Sequence, residues 1–159
     1  MLNPYKYYIM RLLRIQSHNM EEIPELVNIL DSIVEFNPTI KEYNYSISFL
    51  DGSSKEKFKG SFVDFLKSIN KNEKGLILNF NQLQESLSGL FQIYDLLLLI
   101  DNNTDKFEKS KIKEDSIMYN NLFLTITYFD GGFWEVSSLD KNLLNFIKTK
   151  QSNCEFIQL

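Results

Sequence analysis

LFLTITYFDGGFWEVSSLDKNLLNFIKT, residues 122–149, decides the fold. Two runs that alternate between apolar and polar residues close on Asp130, Gly131 and Gly132 and lead into an amphipathic stretch, the pattern of a β-hairpin followed by a helix. The turn selects its own register. With Asp130, Gly131 and Gly132 as a three-residue loop, Phe129 faces Phe133, Tyr128 faces Trp134 and Ile126 faces Val136. Leu122, Leu124, Ile126, Tyr128, Trp134 and Val136 then share one side, the expected core. Thr125, Thr127, Glu135 and Ser137 take the other side, where they can stay in water. A two-residue loop would set Glu135 and Ser137 among the leucines, and burying an unpaired carboxylate is too costly.

Working outward, residues 5–15 read as a strand apolar on both sides, with Tyr7, Ile9 and Leu13 alternating against Tyr8, Met10 and Leu12. Residues 19–36 carry Ile23, Leu26, Val27, Leu30, Ile33 and Val34 at helical spacing, with Asn19 as cap and Pro24 in the first turn. The outward face of that helix bears Glu21, Glu22, Glu25, Asp31 and Glu35. Tyr43, Tyr45, Ile47 and Phe49 alternate with polar residues up to Asp51-Gly52, which predicts a second hairpin returning through a short polar strand around Phe58. Ser61 and Asp64 resemble a capping box for a helix burying Phe62, Phe65, Leu66 and Ile69. A strand over 76–80, a helix over 81–90 and a buried strand over 94–100 follow. Residues 101–117 are charged and aperiodic, which predicts a mobile loop unless a partner orders it.

YSISFLDG at 45–52 parallels LTITYFDG at 124–131, and a capped helix and a strand follow each in the same order. Duplication of a hairpin-helix-strand unit and shared packing rules both account for this. The expected architecture is a single α+β domain over residues 1–159, a mixed and mostly antiparallel sheet with about four helices mainly on one face.

Composition narrows function by exclusion. The chain has 159 residues, 43% of them hydrophobic, and a net charge of −4. A nucleic-acid binder needs a clustered basic face, and only Arg11 and Arg14 supply guanidinium groups. The acidic balance suits a basic protein partner and equally suits ordinary solubility. Cys154 is the only cysteine, which excludes an intramolecular disulfide and fits a reduced cytoplasm. Lys6, Arg11 and Arg14 interrupt the apolar start, so no signal-peptide core is expected, and the longest apolar run, 90–100, is too short to span a bilayer and contains Asp95. With no alanine in the chain, the helices must rely on packing of their apolar faces.

Residues for chemistry are scarce. His18 is the single histidine, so a zinc site would need three carboxylate or unusual ligands. No G-x-S-x-G elbow, Walker loop or G-x-G-x-x-G after a strand occurs, and neither a cofactor nor a catalytic set is expected. Asp130, Glu135 and Asp140 are close enough in sequence to suggest paired carboxylates. A turn, a solvated strand face and a helix cap explain them as well. Trp134 could anchor a partner, but the chosen register sends it inward. Phe129 and Phe133 fall on the Glu135 side beside the loop, as an apolar tip with an acidic rim or under a covering element.

The segment ITYFDGGFWEVSSLDKNLLNFIK, within residues 124–148, resembles the C-terminal part of small bacterial immunity proteins, which protect a cell from polymorphic or contact-delivered toxins. In those proteins an aromatic-Asp turn leads into a Trp-Glu-Val-like strand, a polar capping stretch and a helix. FQIYDLLLLID is similar to the buried central strand that precedes their variable loop. The resemblance implies a cytoplasmic, non-enzymatic inhibitor whose partner is a cognate toxin domain, a basic nuclease being one class, with neither nucleic acid nor membrane as partner. Candidate contacts are Glu21, Glu22, Glu25, Phe129, Asp130, Phe133 and Glu135. Two other readings stay open: a small α+β enzyme with a site assembled from dispersed carboxylates, and a phage or plasmid accessory protein that forms homo-oligomers through a sheet edge.

Overall fold

The computed structural model describes residues 11–18, 20–129 and 132–159. In chain order the elements are β1 (Arg11–Gln16), α1 (Glu22–Phe36), β2 (Asn44–Ser54), α2 (Phe62–Lys71), β3 (Leu76–Leu78), α3 (Phe80–Ser88), β4 (Leu90–Asp101), α4 (Asp115–Asn121), β5 (Leu124–Phe129), β6 (Phe133–Ser138), α5 (Lys141–Lys150) and β7 (Cys154–Gln158). The strands form one sheet in the order β3-β2-β4-β5-β6-β1-β7, and its pairings are antiparallel.

β5 and β6 pair in the register of a three-residue loop, with Phe129 opposite Phe133, Tyr128 opposite Trp134 and Ile126 opposite Val136. Leu124, Ile126, Tyr128, Trp134 and Val136 are buried in the main core. Leu122 does not join them; it precedes β5 and packs in a second cluster on the opposite face. The polar side is also drier than expected. Thr125, Thr127 and Ser137 are buried. Their hydroxyls find partners within the sheet: Thr125 and Ser137 share a hydroxyl hydrogen bond of 2.5 Å, and the Thr127 hydroxyl donates to the Glu135 carbonyl at 3.4 Å.

The main core lies between one sheet face, here the inner face, and α1, α2, α3 and α5. Local sequence sets these helices. Ser61 caps α2 by accepting from the Asp64 N–H, Asn79 and Gln82 form a reciprocal capping box on α3, and Asp140 accepts from the Asn142 and Leu143 N–H groups on α5. α1 begins at Glu22 with Glu21 before it; the candidate cap Asn19 and the strand residues 5–10 lie outside the described residues. Glu22 is not on the solvent face assigned to it but 4% exposed.

The expected hairpin at Asp51-Gly52 is a single strand. β2 continues through this dipeptide to Ser54 and pairs with β4 along its whole length, with register shifts at three points. A Cβ on Gly52 would stand 2.4 Å from the Gln92 carbonyl oxygen, so glycine is there to let two strands approach at a bulge and not to turn the chain. The bulge at Ser48 has a second effect. It puts Ser48 and Leu50 inside and leaves Phe49 outside, reversing the alternation read from Tyr43 to Ile47. The two halves therefore share less than a hairpin-helix-strand unit. What recurs is a helix, one residue in the left-handed region (Gly75, φ 69°; Asn153, φ 53°) and a strand that forms an edge of the sheet, β3 or β7.

Residues 101–117, expected as a mobile loop, fold into two 3₁₀ turns and the start of α4 and cover half of the outer face. Phe107, Met118, Tyr119 and Leu122 pack there against Leu12 and Leu99. Order comes from partners distant in sequence. Asp101, 1% exposed, accepts from the Asn103 N–H and the Phe123 N–H, both at 2.9 Å, so one carboxylate ties the two ends of the cover together. The α2–β3 turn grips its middle: Lys74 donates to Asp105 at 2.9 Å, the Ser110 N–H donates to Glu73 at 2.8 Å, and Lys109 donates to the Ile69 carbonyl at 3.0 Å. The Ser110 hydrogen bonds hold the Glu73 carboxyl below the usual carboxylate range, and the Lys74 hydrogen bond does the same to Asp105 while raising Lys74.

Candidate protein-binding face

The cover stops short of the other half of the outer face. Across that half, Phe49, Leu97, Thr127, Glu135, Arg14 and Glu155 are successive cross-strand partners from β2 to β7. Five strand spacings make this row roughly 24 Å wide. In the next row towards the β5–β6 turn, Asp51 stands opposite Asp95, and Phe129 opposite Phe133, which is opposite Gln16. Phe49 is 45% exposed and Phe129 53%. Two further bulges, where β4 gains a residue against β2, leave Tyr94 and Phe91 exposed as well.

Three of the residues selected from sequence meet here. Phe129 is open to solvent, while Phe133 lies under the Arg14 guanidinium, 4.5 Å from its ring centre. The same guanidinium is 3.7 Å from Glu135. This ion pair, with about a third of the Arg14 side chain exposed, contributes little stability on its own, within about 1 kcal/mol. Its role is positional: it keeps the Arg14 cation over the Phe133 ring and offsets one carboxylate of the row. Arg14 Nε is buried with no hydrogen-bond partner among the described residues.

The remaining candidates are not part of this face. Glu21 and Glu22 begin α1, which packs against the inner face. Glu25 is turned to structural use, accepting from the Ser17 hydroxyl at 2.5 Å and from the His18 N–H at 3.1 Å, and Ser17 in turn donates its N–H to the Gly132 carbonyl at 2.8 Å. That chain fixes the helix start to the β5–β6 turn. Asp130 lies outside the described residues. Sequence reasoning missed Phe49, Asp51, Asp95, Phe91 and Tyr94. The available signal was Leu50, an apolar residue out of phase with Tyr45 and Ile47, which marks a bulge.

At the β1–β7 edge, Arg14, Gln16, Asn153, Cys154 and Glu155 line a depression of about 200 Å³. Burial pushes the Cys154 thiol up, against the opposing effect of Lys148, which disfavours the nucleophilic thiolate. Among the described residues no group of three or more His, Cys, Asp or Glu side chains is arranged to hold a metal ion, and no helix is long and apolar enough to cross a membrane. Compared with family models, with curated proteins and with solved structures, the chain finds no match.

Proposed function

We propose that this chain is a non-enzymatic protein-binding module: a cytoplasmic immunity protein that neutralises a cognate bacterial toxin by direct binding, a basic nuclease being the class that fits best. The observation that carries this reading is the half-covered outer face, on which exposed Phe49 and Phe129 stand among Asp51, Asp95, Glu135 and Glu155. Exposed aromatic residues gathered on one face of a sheet make a surface that a partner can cover. Aromatic anchors set among charges are what protein interfaces use, with the charges speeding encounter with a basic surface. The resemblance of residues 124–148 to immunity proteins supports the same reading.

The test is co-expression with the product of the gene immediately upstream. The expected result is a stoichiometric complex in which the toxin's activity is abolished. A toxin whose activity is unchanged by a molar excess of this chain rejects the proposal.

A further inference from the structure

We infer that the depression at the β1–β7 end of the sheet takes a carboxamide, an asparagine or glutamine side chain of the partner protein, between Arg14 and Glu155. This rests on the protein-binding reading above and adds one point of contact and its chemistry. Arg14 on β1 and Glu155 on β7 are cross-strand partners, yet the guanidinium turns to its other neighbour, standing 3.7 Å from Glu135 on β6 and 4.5 Å over the Phe133 ring. At 3.7 Å that ion pair is longer than a hydrogen bond, and Arg14 Nε is buried with no hydrogen-bond partner among the described residues. Arg14 and Glu155 line one depression of about 200 Å³, so guanidinium donors from β1 and carboxylate acceptors from β7 meet in it. Its rim is tied down: the Gln16 side-chain amide donates to the Gly132 carbonyl at 3.2 Å, and the Gln16 backbone N–H donates to the Asn153 carbonyl at 3.0 Å.

Charge decides the occupant. A carboxylate would meet Arg14 but stand against Glu155, and a lysine or arginine would meet Glu155 but stand against the guanidinium; each gains one attraction and meets one like charge. An apolar group would shut water away from donors and acceptors alike and give them nothing in return. A carboxamide is neutral and carries an acceptor oxygen and N–H donors side by side, so a single group serves Arg14 and Glu155 together.

The experiment is a titration of the isotope-labelled full chain, followed by NMR, with three blocked tripeptides that differ in one side chain, Ac-GQG-NH2, Ac-GEG-NH2 and Ac-GKG-NH2. Arg14 is one of only two arginines, so its Nε–H signal can be assigned and read directly. The expected result is that this signal and the backbone amides of Asn153 and Glu155 move most, with the glutamine peptide about three-fold tighter than either charged one, the net gain of one hydrogen bond. Exchanging charge reorders the series: Arg14→Gln makes the lysine peptide the tightest, and Glu155→Lys the glutamate peptide. Glu155 is exposed on an edge strand, so its variant keeps the fold and the test. Equal affinities in the parent chain, an unmoved Arg14 signal, no binding at the highest concentration reached, or an order that neither exchange alters would overturn the inference. The peptides need no toxin, so the two proposals fail separately. A toxin that binds while the peptides show no such order rejects the carboxamide site alone; the expected order with an unaffected toxin rejects the toxin alone.

Discussion

Replacing Asp101 should loosen the cover from both ends at once. Its carboxylate is 1% exposed and holds the Asn103 and Phe123 N–H groups, each at 2.9 Å, with Lys106 3.5 Å away. In Asp101→Ala both donors lose their acceptor. Phe123 is half-buried, so its share is that of a hydrogen bond to a charged group, about 1.5–3 kcal/mol. Asn103 is exposed and water can replace the acceptor, which reduces its share to about 0.5–1.5 kcal/mol. The expected loss is about 2–4.5 kcal/mol, a large part of the stability of an ordinary domain. Peeling the cover away to hydrate the donors is no escape, since exposing Phe107, Met118 and Leu122 costs about 1.5–3 kcal/mol each. Asp101→Asn keeps one acceptor oxygen, which can serve Phe123, and should lose only about 1 kcal/mol. Urea unfolding followed through the single, fully buried Trp134 measures both values, and amide exchange over 103–123 locates the damage. An Asp101→Ala protein within 1 kcal/mol of the parent, with unchanged exchange at Phe123, would refute the claim that this carboxylate holds the cover.

Acid should release the middle of the cover before the sheet unfolds. Glu73 and Asp105 both have depressed folded values, so the unfolded chain takes up more protons in the acid range; their contribution is present at neutral pH and is lost as pH falls below about 4. Amide exchange at Ser110 rising in acid ahead of β4 amides would be the signature. Gly75→Ala should cost about 2–4 kcal/mol in urea unfolding, since its Cβ would meet the Ile47 carbonyl oxygen at 2.5 Å in a left-handed conformation. Gly60→Ala, at φ +84° in open space, should cost only about 1 kcal/mol by the same measurement. Ile126→Ala should cost about 2–5 kcal/mol. Phe129→Ser should leave stability within about 0.5 kcal/mol yet weaken toxin binding, by calorimetry, at least about five-fold.

How much of this was legible in the sequence depended on how local the deciding forces are. The β5–β6 register was readable because one parity buries Glu135 and the other does not, a difference a single dipeptide step settles. The caps on α2 and α5 were readable for the same reason. β2 was misread because Asp51-Gly52 satisfies the rule for a turn, whereas the need for glycine there comes from the Gln92 carbonyl on another strand. The cover was misread because nothing within residues 101–117 repeats at a helical or strand period; the Phe123 N–H, Glu73, Lys74 and the Ile69 carbonyl order it from outside. The candidate face was half visible. Phe129, Phe133 and Glu135 follow from the register, but Phe49 needs the Ser48 bulge, and the withdrawal of Glu25 into a structural role needs the approach of Ser17.

The ends of the cover meet within one hydrogen bond of each other, at Asp101 and Phe123. The intervening stretch is thus an insertion between two adjacent antiparallel strands that a short reverse turn could join directly. Its length between those two anchors can change without altering the β4–β5 pairing, provided that Leu12 and Leu99 stay covered. How much of the surface beside it stays open is therefore set by one segment between two fixed anchors, apart from the strands that carry Phe49 and Phe129.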